Sequence, residues 1–239
     1  LCGVTDDEHI FDNRKKLNPN RSVLELADAC LEYKNEVAAV ASWDVIPYIL
    51  NYRRSQLPVD YKSRHMVSAQ VRCDSVTLNR ALNTLGEKHP KLLFVEFCET
   101  DFYGHHGKWN EYLNAAHQND AFIRKLWQYC QNDEFYKGNT TFIITCDHGR
   151  GESLGLHINR GEVDPTASWT EHGQHIAGSN QTWLVAFGKD IQHLGEVEGG
   201  KTIYTKQIAP TIAHILNVPF TNGDEQVATP IYKILKQAN

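Results

Sequence analysis

Four short runs of apolar and β-branched residues restrict what this chain can fold into: VAAVAS (37–42), LLFVEFC (92–98), TTFIITC (140–146) and TWLVAFG (182–188). Within them apolar and polar residues do not alternate. A strand of this kind has to be covered on both faces, as the strands of parallel sheets are. Segments with helical periodicity separate the runs. Ser22 can cap a helix through about Lys34, with Val23, Leu24, Leu26, Ala27, Cys30 and Leu31 as its apolar stripe. Residues 44–54 (DVIPYILNYRR) are helix-like but interrupted by Pro47, 55–68 are irregular, and 74–88 predicts a helix ending near Gly86. The clearest helix covers 111–131, with Tyr112, Ala115, Ala116, Phe122, Ile123, Leu126, Trp127 and Cys130 on one side. A last helix, containing Pro210, covers 205–216, and the polar residues 1–21 predict loop. This alternation predicts an α/β fold with a mostly parallel central sheet and helices on both faces.

With 239 residues, 41% of them hydrophobic, the chain can bury one sizeable core. Its net charge of −5 gives no basic surface for nucleic acid. No apolar run approaches the roughly 20 residues of a membrane span. The six cysteines (2, 30, 73, 98, 130 and 146) form no CxxC pair and read as buried free thiols.

In open α/β sheets, functional groups gather outside the carboxyl ends of the strands. Two of the strands here run out onto acids. LLFVEFC continues as ETDFYGHHGKW, which places Asp101 and His105 in what reads as a short glycine-containing loop. TTFIITC continues as DHGRG, with Asp147 and His148 adjacent and Gly149 and Gly151 letting the chain turn so that both reach one ion. A third cluster, SWTEHGQHIAGS, offers His172 and His175. Two carboxylates and at least three imidazoles bordering one sheet form an N/O ligand set suited to zinc, with manganese also compatible.

Each cluster also has a plain structural interpretation. A DH pair at a strand end is commonly a polar turn, and His9, His65, His89, His193 and His214 read as surface or packing residues. A rival motif lies in the same loop: GESLG (151–155) matches the G-x-S-x-G nucleophile elbow, with Asp164 and then His172 or His175 following. Its mechanics fit poorly. Ser153 lies seven residues past Cys146, not on the turn directly after the strand, and no helical pattern follows it.

In order and strand placement, the D-x-x-x-H at Asp101 and His105, the D-H-G at Asp147–Gly149 and the H-G at His172 resemble the metal motifs of the alkaline phosphatase superfamily. That superfamily includes phosphatases, nucleotide phosphodiesterases, cofactor-independent phosphoglycerate mutases and sulfatases. The closing TKQIAPTIAHILNVPF resembles its last helix. The resemblance implies that Asp101, His105 and His172 hold one divalent ion, with His175 as the alternative to His172. Asp147 and His148 would supply part of a second site, and Arg150 would bind substrate oxyanions. It further implies a zinc-dependent (or manganese-dependent) hydrolase of phosphate mono- or diesters, with a phosphate- or sulfate-ester substrate and a secreted or periplasmic location. A sulfuric ester hydrolase and a non-catalytic metal-binding module are the alternatives. A phosphomutase ranks below them, because the large inserted domain of such enzymes has no room here. In the family a strand ending on an aspartate, followed by a Thr or Ser nucleophile, precedes these motifs. Nothing in residues 1–21 resembles it, so the expectation is a single domain over 1–239 whose nucleophile lies upstream of Leu1.

Overall fold

The computed structural model describes residues 1–151, 158–159, 162–163, 168–223 and 226–236. Strand β1 (Val37–Ala41) is buried at all five positions and pairs in parallel with β2 (Val59–Asp60) on one edge and β3 (Leu92–Glu96) on the other. Alternate residues face opposite sides of a strand. Val37, Ala39 and Ala41 accordingly pack with α1 (Val23–Ala29) and α7 (Ile208–Ile215). Val40 packs on the other side, against α4 (Asp74–Lys88) and α6 (Trp109–Asn132). Helices therefore cover both faces, as the unbroken apolar runs require.

A second pairing departs from the parallel expectation. β4 (Thr141–Thr145) and β7 (Leu184–Gly188) run antiparallel, with Phe142 opposite Phe187. Trp127 of α6 sets its ring edge-on to both, at 5.3 and 4.9 Å. Among the described residues β3 pairs only with β1 and β4 only with β7, so one edge of each is unpaired. The effect shows in burial: every residue of β3 (LLFVE) stays partly exposed, whereas every residue of β1 is buried. A two-residue hairpin pair, β5 (Ile158–Asn159) and β6 (Glu162–Val163), lies in the long loop after β4.

Several boundaries differ from the sequence expectation. Ser22 does cap α1, its Oγ accepting the Glu25 N–H at 3.2 Å. The helix nevertheless stops at Ala29, because Cys30 is extended, and Leu31 is left 97% exposed instead of joining the stripe. The break in 44–54 falls not at Pro47, which sits in the first turn of α2 (Ile46–Ile49), but at Asn51, whose left-handed backbone starts α3 (Tyr52–Ser55). α4 runs through Gly86 to Lys88 and ends on left-handed His89. No helix among the described residues is long and apolar enough to cross a membrane. All six cysteines are free; Cys98 and Cys130 are buried and the other four partly so.

Candidate metal centre

The segment carrying Asp101 and His105 is not a loop. It forms α5 (Glu99–His105), which puts the two side chains one turn apart on the same face. The start of α5 is capped from a distance. The Asp74 carboxylate accepts the N–H groups of Cys98 at 2.9 Å and Glu99 at 3.0 Å, and the Glu99 carboxylate accepts the Asp74 N–H at 3.0 Å. Each acid thus satisfies the unpaired donors at the other helix's start. Ser42 at the end of β1 donates its hydroxyl to Asp74 at 2.6 Å, which fixes both helices to the sheet.

On this frame Asp101 Oδ1 faces three imidazoles: His105 Nε2 at 3.5 Å, His148 Nε2 at 3.6 Å and His172 Nε2 at 3.7 Å. One donor atom from each of Asp101, His105 and His172 lies within 4.8 Å of the others. His148 stacks on His172, with ring centroids 3.6 Å apart and planes at 13°. Its Nδ1 is 2.9 Å from the Gly149 carbonyl, which can only accept, so Nδ1 carries a proton and Nε2 is the nitrogen turned toward Asp101. Burial, and then the neighbouring His148, depress the pKa of His172, favouring the neutral form a metal ligand needs. The donors fit a divalent ion: one carboxylate oxygen and imidazole nitrogens converge, and a hydrogen bond to the Gly149 carbonyl orients the His148 ring.

The other expected residues fall around this group. Asp147 points outward, its side chain 82% exposed, with Oδ2 3.5 Å from His148 Nε2. His175 is exposed and outside the group; with His148, His172, Gln174 and Asn180 it lines a cavity of about 520 Å³ beside it. Gly149 serves close approach, since a Cβ there would meet the Gly178 carbonyl oxygen at 2.1 Å. Arg150, expected to bind substrate oxyanions, donates its guanidinium to Asp101 and to the Thr170 carbonyl. Ser153 and Asp164 lie outside the described residues.

Three acids fall outside the expected set. Glu171 Oε2 is 3.9 Å from His105 Nδ1, on the far side of the ring from Asp101. Glu96 accepts the Ser42 and Trp43 N–H groups at 2.9 and 3.0 Å, and desolvation pushes its pKa up to about 7. Desolvation likewise raises Asp74, to about 6, against the lowering effect of its hydrogen bonds. An acid inside the otherwise apolar LLFVE was a visible signal for Glu96; Asp74 and Glu171 had none.

These features define a class: an α/β protein with a group of metal-ligating side chains gathered past the ends of β3 and β4. The model of the metalloenzyme superfamily matches residues 33–219, and the chain belongs to that superfamily, whose fold is alkaline-phosphatase-like. Membership implies divalent metal ions. Curated relatives include the 2,3-bisphosphoglycerate-independent phosphoglycerate mutase of Gracilaria tenuistipitata var. liui, 31% identical over 142 residues, 59% of this chain and 24% of that protein. The enzyme of the same name from Clostridioides difficile (strain 630) is 25% identical over 140 residues, again 59% and 24%. A probable enzyme of this name from Leptospira interrogans is 26% identical over 105 residues, 44% and 17%. The chain therefore matches about a quarter or less of the length of these relatives.

Proposed function

We propose that this chain forms the metal-binding part of an enzyme that transfers the phosphoryl group of a phosphate ester, with hydrolysis of mono- or diesters as its reaction. The observation that carries the reading is the convergence of Asp101, His105 and His172, with His148 stacked alongside. Asp101, His105 and His172 would hold one ion, zinc or manganese; His148 and Asp147 would contribute to a second. Bound there, such ions supply Lewis-acid stabilisation of charge on the transferred group and lower the pKa of a nucleophilic oxygen. The chain's own part is placement. His148 is held in the tautomer that offers Nε2, His172 is kept neutral, and the cavity walled by Gln174, His175 and Asn180 leaves room for an ester beside the ligands.

The relatives' names favour a second reading, isomerisation of phosphoglycerate. The test begins with binding, which needs no nucleophile. Zinc-loaded protein should bind inorganic phosphate in calorimetry, more tightly than sulfate, and lose it on chelation. Hydrolysis of p-nitrophenyl phosphate or its bis-ester would then favour the hydrolase, and conversion of 3-phosphoglycerate the mutase. Preference for sulfate would favour the sulfuric ester alternative. Metal binding without any anion binding would leave only the non-catalytic module.

A further inference from the structure

The contacts of Arg150 join segments far apart in sequence. Its Nη1 donates to the Thr170 carbonyl at 2.9 Å; its Nη2 donates to the Asp101 carbonyl at 3.0 Å and to the Asp101 carboxylate. The side chain is only 11% exposed and lies across Gly104, where a Cβ would come within 2.5 Å of the guanidinium carbon. Two residues beyond Thr170 stands His172. Other contacts hold the same stretch: the Gly151 N–H donates to the Glu171 carbonyl at 3.1 Å. Trp169 sits edge-on against Trp109 and Tyr112 of α6, at 5.0 and 5.6 Å.

We propose that Arg150 is a positioning residue of the metal centre: laid over Gly104, its guanidinium ties α5 to the Thr170 backbone and so sets His172 against Asp101 and His105. This rests on those three residues holding the metal. The geometry needs both partners. The planar fork donates to the two segments from two separate nitrogens, a spread that the single nitrogen of a lysine does not reproduce. Only glycine at 104 leaves room for the fork to lie flat on α5. Charge alone predicts the opposite effect, because a guanidinium beside a bound cation repels it. The sign of the Arg150 effect therefore separates positioning from simple electrostatics.

The experiment measures zinc affinity by chelator competition and the visible absorption of the cobalt-substituted protein. Partners that orient metal ligands typically contribute 10- to 100-fold in affinity. Arg150→Ala should weaken zinc by roughly that factor and change the cobalt spectrum, and Arg150→Lys should not restore either. Gly104→Ala should produce the same loss, yet add nothing in the Arg150→Ala background, since both act through one contact. Unchanged or tighter zinc binding in Arg150→Ala, full recovery with lysine, or additive losses would overturn the proposal. If Arg150→Ala fails to fold, Arg150→Lys and Gly104→Ala make the same comparison. Wild-type protein that takes up neither zinc nor cobalt would instead overturn the metal reading, and the proposal with it.

Discussion

Asp101 Oδ1 is the point on which the centre converges, with three imidazoles within 3.7 Å and a guanidinium bonded to it. Asp101→Asn keeps the size of the side chain and removes its charge. It is expected to weaken zinc by more than the ~100-fold that an outer partner costs. His172→Ala should do the same, whereas His175→Ala should leave zinc affinity within about threefold, because His175 stands outside the donor group. Chelator competition on the three variants checks this; equal losses at His172 and His175 would reverse the ligand assignment. The grouping of Asp101, His105, His148 and His172 was legible in the residues themselves. Asp101, His105 and His148 follow the ends of β3 and β4, His172 precedes β7, and a carboxylate four residues before a histidine is a spacing that a helix turns into one face. The choice between His172 and His175 was not legible, since EHGQH offers two similar rings and only the fold of the loop separates them. The contacts of Arg150 were not legible, because its acceptors, at 101 and 170, are remote in sequence.

At the scale of elements, the mutual capping of α4 and α5 explains both a missed helix and a pH dependence. Ser22 caps its own helix three residues ahead, so α1 could be read locally. The cap of α5 is Asp74, 24 and 25 residues upstream of the N–H groups it accepts, and a local reading sees only a polar stretch interrupted by Gly104. Asp74 is 1% exposed, and its carboxyl is raised from 3.8 to about 6. The folded state therefore binds this proton more tightly than the unfolded chain does. Its contribution is fully present below pH 3.8 and is lost as pH rises through about 6, a change on the order of 3 kcal/mol. Asp74→Asn, which retains an acceptor oxygen but does not titrate, should remove that slope. Urea unfolding of metal-free protein at about pH 4 and pH 7 tests it. The wild type should lose on the order of 3 kcal/mol more than the variant over this interval, and parallel pH profiles would disprove the assignment.

At the scale of the whole molecule, the apolar runs predicted the layers correctly because burial on both faces is written into each strand, as the alternating contacts of β1 show. Strand direction is not written there. β7 looks like any two-sided strand, yet the chain returns to β4 antiparallel. The same long return brings His172 back to α5, 67 residues after His105. A metal at this centre would join α5, the exit of β4 and the returning loop, parts that Arg150 and the Gly149–Ser179 and Gly151–Glu171 backbone hydrogen bonds also tie together. An ion that binds only the folded chain adds RT ln(1 + [L]/Kd), about 2.7 kcal/mol when free zinc is 100 times Kd. In a domain of this size each kcal/mol moves the melting temperature by roughly 2–4 °C. Zinc at that excess should therefore raise Tm by on the order of 5–10 °C over chelated protein. Asp101→Asn should show almost none of this rise at the same zinc concentration. Calorimetric scans of both proteins, with zinc and with chelator, decide the matter: a rise of the same size in the variant would mean that zinc stabilises the fold from somewhere other than Asp101.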